Sequence, residues 1–309
     1  MVRCWRSWLM TLNPRETRDM LTGRWCCQMR TFLSGLDEDI RRQLMIDLRN
    51  LWTHTSTAIE GNTLTLGETA LVLEQGLTVS GKPLKDHQEV LGHARAIQLL
   101  YGLVNQEGPV GEQDLFTLHQ AVQTGMVVDL YRPVGAWKKE PNCVYTIRDG
   151  KTIFNEFADP QHVPLLMKEW LTCLNSYKDV RLSQDEAVDA YAKLHVSFVR
   201  IHPFFDGNGR MARLLANLPV LWSGQPPIVI PTENRSEYVR LLSDIDAIEG
   251  QAAPGGPLFP PPERLTGFRT LCAAAWASTR ELVEAAHERQ RVRDNERARE
   301  EEHESGLDR

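Results

Sequence analysis

The stretch HVSFVRIHPFFDGNGRMARLLANL, residues 195–218, is apolar at helical spacing, breaks around a proline and two glycines, and then turns apolar again. Ala192, His195 and Phe198 lie three residues apart before Ile201, and Met211, Leu214, Leu215 and Leu218 resume the rhythm after Gly209. Two helices joined by a short loop follow from that pattern. The loop holds His202, Phe204, Asp206, Gly207, Asn208 and Gly209. A glycine-rich turn feeding a helix exposes backbone N–H groups at the positive end of the helix dipole, which makes an anion site. Arg210 and Arg213, three apart, share one face just inside it, an arrangement suited to a polyphosphate. Asp206 is a hard oxygen donor for Mg²⁺ beside such phosphates, and His202 is a candidate general base. Each part alone also has an ordinary structural explanation; the combination is what points to chemistry.

Outward from this stretch the chain is mostly helical. Ile40, Leu44, Leu48 and Leu51 recur at helical spacing in a run that stops at Gly61-Asn62, and 84–103 has the periodicity of a further helix. Thr65-x-x-Glu68 and Ser183-x-x-Glu186 fit the capping box, and Asp159-Pro160 predicts an N-cap with proline at the first helical position. Between Cys143 and Phe157, β-prone residues flank Asp149-Gly150, a pair favoured in a two-residue type I′ turn, so a β-hairpin is expected. Residues 250–262 read as a Gly/Pro-rich linker before a last helix starting near Glu263, and beyond His287 the chain is almost wholly charged, as a solvated helix would be.

The 309 residues, 42% hydrophobic and 25% charged, fit a soluble globular chain, and no apolar run approaches a membrane span. The apolar stretch before Pro14 is too short for a signal peptide, and the six cysteines (Cys4, Cys26, Cys27, Cys143, Cys173, Cys272) show neither CxxC nor zinc spacing. A cytoplasmic protein with reduced thiols is expected. A net charge of −6 argues against a nucleic-acid binder.

HPFFDGNGRMAR, residues 202–213, matches the signature H-x-F-x-[D/E]-G-N-G-R-x-x-R, and on it the chain resembles the Fic (filamentation induced by cAMP) domain family. The resemblance covers roughly 45–250, including AxxHxxFxxIHPF and the RSEYVRLL helix. It implies a mostly α, helical-bundle fold with a β-hairpin flap beside the active site. It also implies an adenylyltransferase that moves AMP from ATP, with Mg²⁺, onto a Ser, Thr or Tyr hydroxyl of a protein partner. By analogy His202 accepts the hydroxyl proton and Asp206 holds the metal. Gly207, Asn208, Gly209, Arg210 and Arg213 hold the phosphates, with Tyr238 also at the nucleotide, and the flap docks the target along Val144, Tyr145, Thr146 and Ile147.

A second motif of the family, [S/T]-x-x-x-E-[G/N], falls on Ser56, Glu60 and Gly61 and implies an inhibitory helix preceding the core. Two departures stand out. An arginine common before the flap is Lys138 here, after Gly135-Ala136-Trp137, and an asparagine that some relatives place near adenine is Asp246. The expected organisation is an extension (1–35), an inhibitory region (36–80), a core (81–250) with its flap near 135–157, a linker (251–262), and a C-terminal helix with a charged tail (263–309). Two other readings stay open: removal of AMP, with Glu60 aligning a water, and a non-catalytic partner-binding module. A homo-oligomer is also left open.

Overall fold

A computed structural model describes residues 32–123, 132–148 and 151–307. The N-terminal extension, three of the six cysteines and the Asp149-Gly150 turn lie outside the described residues, as do the side chains of Thr146 and Ile147. The helices are α1 (Glu38–Ile59), α2 (Leu66–Gln75), α3 (Leu84–Val104), α4 (Glu112–Val122), α5 (Val163–Asn175), α6 (Gln184–Ile201), α7 (Asn208–Leu215), α8 (Leu218–Trp222), α9 (Arg235–Glu249), α10 (Pro262–Ala275) and α11 (Ala277–Leu307). Strands β1 (Cys143–Arg148) and β2 (Lys151–Glu156) form an antiparallel hairpin with Tyr145 opposite Phe154.

Helix α6 is the axis of the fold. Its last eight residues, Leu194 to Ile201, are all buried, which requires neighbours on every side of the helix. Those neighbours are α5, α7, α8 and α10. Trp170 of α5 lies edge-on to Phe198 and donates its indole N–H to the Leu194 carbonyl at 3.0 Å, so the packing also satisfies its polar edge. α1 crosses the bundle against α2, α3, α7 and α11. This contact carries the end of α1 onto the start of α7, where the signature lies.

Both capping boxes form: Thr65 and Ser183 accept the N–H of Glu68 and Glu186, whose side chains reach back to the cap N–H. The Asp159-Pro160 start does not hold. Asp159 instead accepts the Gln161 N–H in a preceding turn, and α5 begins at Val163 with Pro164 inside its first turn. The Gly/Pro stretch 250–262 is not a free linker, because Ala252 and Leu258 are buried in the main core. The last helix is two helices meeting at Trp276, whose indole N–H is held by the Pro226 carbonyl. α11 is not simply solvated either. Gln290 accepts the Asp37 N–H at 2.8 Å, Arg293 and Arg297 pair with Asp37, and Arg293 also pairs with Asp39. The charged segment thus supplies a cap that α1 lacks in its own side chains.

Candidate active site

α6 ends on His202 in the left-handed region (φ +52°, ψ +58°), its N–H still bonded to the Phe198 carbonyl at 2.9 Å. A non-glycine residue there costs on the order of 1–3 kcal/mol, which the surrounding structure must hold in place. The ring supplies part of that hold. Nδ1 lies 3.1 Å from the Val199 carbonyl, which can only accept, so Nδ1 carries the hydrogen and Nε2 keeps its lone pair. Phe157 stacks on the imidazole at 3.7 Å and 10°. Burial, followed by the charge of Lys138, lowers the His202 pKa to about 3, so the ring is a neutral acceptor at physiological pH.

The loop after His202 is pinned from inside. Phe204 is fully buried, stacked on His119 at 3.8 Å and 6° and packed against Trp137. Asn208 accepts the Phe204 N–H at 2.9 Å and donates to the Phe204 carbonyl at 2.8 Å, which closes the loop on the first residue of α7. Its amide is therefore spent on shape. His119 donates from Nε2 to the Asp206 carbonyl at 3.0 Å and accepts the Gly135 N–H on Nδ1 at 2.9 Å. Gly207 adopts φ +77°, which favours glycine, and a Cβ there would also have to displace the end of the Gln123 side chain, 2.6 Å away.

Two arginines line the cradle, and both are buried. Arg210 lies 3.7 Å from Asp206 and 4.0 Å from Glu89. Arg213, 2% exposed, donates to Ser56 Oγ (3.0 Å), the Ser56 carbonyl (2.8 Å), Glu60 Oε1 (2.7 Å) and the Tyr238 hydroxyl (3.1 Å). Tyr238 is itself 3.1 Å from His195 Nε2, so it sits behind Arg213 and fixes it. Burial works against the Arg213 charge, but Tyr238 and Glu60 more than offset it and raise its pKa. For Glu60 burial acts upward, yet the neighbouring Arg213 leaves its pKa lowered, so the carboxylate is ionised.

Ser56 and Glu60 come together here because α1 ends at this point. Ile59 is its last residue and its carbonyl accepts the Arg235 Nε–H at 2.6 Å, while Gly61 leaves at φ +100°. Asn62 and Thr63 fasten the exit to α3 through the Asp86 carbonyl, Glu89 and the Asp86 carboxylate. A Cβ built on Gly209 would fall 2.5 Å from Glu60 Oε1. The carboxylate therefore rests on the first turn of α7, where an anion would be held.

The hairpin stands beside His202. Val144 and Tyr145 are exposed, Tyr145 at 67%, and each strand keeps an edge without a strand neighbour among the described residues. A cavity of about 280 Å³ lies between hairpin and α9, lined by Phe154, Phe157, Arg200, Asp246, Gly250 and Gln251 among others. Burial pushes the Asp246 pKa up to about 6, against the opposing charge of Arg200. His119, Asn142 and Gln123 escaped the sequence analysis: each touches the loop across 60 or more residues of chain, and no local pattern marks them.

The Fic/DOC family matches residues 109–220. The chain is 32% identical over 204 residues to protein adenylyltransferase fic-1 of Caenorhabditis elegans, covering 65% of this chain and 37% of that protein. To protein adenylyltransferase Fic of Drosophila melanogaster it is 35% identical over 190 residues, 60% of this chain and 35% of the fly protein. It thus spans little more than a third of the length of these relatives. Among solved structures, a Fic-domain signaling protein from Bacteroides thetaiotaomicron superposes with a TM-score of 0.71 at 28% identity, over 87% of this chain and 96% of that one. A fragment of C. elegans Fic-1 gives 0.64 at 27%, over 91% and 76%. No described helix is long and apolar enough to cross a membrane. Signature, helical bundle and relatives agree on a Fic/DOC family domain over residues 109–220.

Proposed function

We propose that the chain is a protein adenylyltransferase restrained by its own Glu60. The observation that carries the catalytic part is the His202 ring, held with Nδ1 on a carbonyl and Nε2 free at the mouth of an anion cradle. Nε2 takes the proton of a target Ser, Thr or Tyr hydroxyl as its oxygen attacks the α-phosphorus of ATP, and the bond to pyrophosphate breaks. The α7 N-terminus, Arg210 and Arg213 hold the phosphates, while Asn208 keeps the loop in shape. The adenine would enter the cavity beside Asp246.

Among the described residues no three His, Cys, Asp or Glu side chains form a metal cage. Asp206, with its side chain 57% exposed at the mouth, suits Mg²⁺, which binds one carboxylate together with phosphate oxygens. The metal would neutralise phosphate charge. The target would dock by backbone pairing along Val144 to Ile147, whose outer edge has no strand neighbour among the described residues.

Glu60 restrains the reaction because it ties up Arg213 and covers Gly209, so ATP finds no seat for its outer phosphates. A second reading, removal of AMP with Glu60 aligning a water, draws on the 41% exposure of the Glu60 side chain, which leaves it room to meet solvent. The test is incubation of the Glu60→Gly chain in lysate with ATP labelled on either the α- or the γ-phosphate. α-Label should enter protein, γ-label should not, and His202→Ala should abolish the signal. γ-Label in protein, or full transfer by His202→Ala, would overturn the proposal.

A further inference from the structure

We propose that Lys138 is a positioning residue for His202, joining the loop that presents the base to the root of the hairpin. The inference deepens the reading of His202 as the base and rests on it. Lys138 is 2% exposed, an unusual place for a lysine outside a functional constellation. Its backbone N–H donates to the Pro203 carbonyl at 2.9 Å, and its ammonium donates to the Ile201 carbonyl at 3.4 Å. The carbonyls of the two residues that flank His202 are thus held by one residue.

The same ammonium donates to Asn142 Oδ1 at 2.6 Å, and Asn142 passes the link on in two directions. Its Nδ2 donates to the Phe204 carbonyl at 2.9 Å, and its own carbonyl accepts the Phe157 N–H at 3.2 Å. Phe157 is the residue stacked on the His202 ring, and its carbonyl is fixed by Gln251 at 2.7 Å. Asn142 and Phe157 flank the hairpin immediately before β1 and after β2. Of the three His202-loop carbonyls, one meets the Lys138 ammonium, one the Lys138 backbone N–H and one Asn142, and Asn142, held by the same ammonium, ties in both feet of the hairpin. A left-handed backbone at His202 needs such a clamp.

Charge adds to geometry. The charged groups that act on His202 are Lys138 from the segment before the hairpin, Glu60 from α1 and Asp206 from the loop. Lys138 opposes protonation of the ring, and the two carboxylates favour it. Lys138 has its own pKa lowered to about 8, by burial and against the charge of Asp159, so it remains mostly charged near pH 7. Removing it leaves the ring facing two carboxylates alone, and protonation becomes easier.

The experiment uses the full chain labelled with ¹⁵N-histidine, and reads ring tautomer and titration by long-range proton–nitrogen correlation. His202→Ala identifies the His202 signals. In the unaltered chain and in Lys138→Arg these signals should show one neutral, Nδ1-protonated form from pH 8 to pH 5. In Lys138→Met they should show mixed tautomers and titrate at higher pH. Glu60→Gly/Lys138→Met should bind ATP as Glu60→Gly does by calorimetry, yet incorporate α-label into protein at least about tenfold more slowly. A folded Lys138→Met chain with unchanged His202 tautomer and titration overturns the proposal, and Lys138→Gln is read the same way if Lys138→Met fails to fold. Retained AMP transfer by His202→Ala would instead sink the assignment of the base, an outcome separable from the ring spectra.

Discussion

The chemistry of the site depends on a few side chains whose protonation is set by what buries them. Asp246 is the clearest case for a measurement. Its folded pKa is raised to about 6 from 3.8, so between those values the folded chain binds more protons than the unfolded one. Stability must therefore fall as pH climbs through that window, since it rises only where the unfolded state holds more protons. Asp246→Asn removes the loss. Its melting temperature relative to the unaltered chain should improve from pH 4 to pH 7, by the equivalent of about 2–3 kcal/mol, from roughly two pK units at 1.36 kcal/mol each. A difference that stays constant with pH would show that Arg200 meets the Asp246 charge better than this account allows. At the same scale the clustering of the signature was legible from spacing: His202, Asp206, Arg210 and Arg213 gather at the start of α7. The inward turn of Asn208 and the seat of Tyr238 behind Arg213 were not, because they depend on partners the one-dimensional pattern does not reveal.

At the scale of elements, local signals worked where the chain satisfies its own backbone groups. Both capping boxes form, and the helix at 84–103 and the hairpin stand within a residue or so of their expected limits. Local signals failed where a distant partner decides the boundary. α5 starts three residues late because Asp159 caps a turn instead of the helix, and the last helix divides at Trp276, which is anchored to Pro226. The hairpin offers a test of its own. A proline at Tyr145 removes a backbone donor from β1 while leaving the feet at Asn142 and Phe157 intact. Transfer of α-label to target proteins by Glu60→Gly/Tyr145→Pro should fall about tenfold or more relative to Glu60→Gly, with ATP affinity unchanged. Equal labelling by the two would remove the hairpin from target docking.

Across the whole molecule, two long-range contacts fix α1: α11 at its start and the signature at its end. Nothing in the charged tail's sequence reveals this, since Arg293 and Arg297 find Asp37 some 250 residues away. These pairs are half-buried to exposed, within reach of solvent, so salt should screen them. Arg293→Ala with Arg297→Ala should lower the melting temperature at low salt, and the deficit should shrink near about 1 M salt. A deficit independent of salt would assign the effect to packing instead. The far end of α1 places Glu60 on Arg213 and over the anion cradle, the contact proposed to hold AMP transfer back. The direct measurement is the rate of α-label transfer to protein by Glu60→Gly, by Arg213→Ala and by the unaltered chain. A charge-assisted bond of this kind is worth a few kcal/mol, so Glu60→Gly should raise transfer by about two orders of magnitude. Arg213→Ala should raise nothing, because it removes the restraint and the phosphate seat together. If Glu60→Gly leaves transfer unchanged and abolishes removal of AMP from a premodified target, Glu60 serves hydrolysis, and the account of restraint is contradicted.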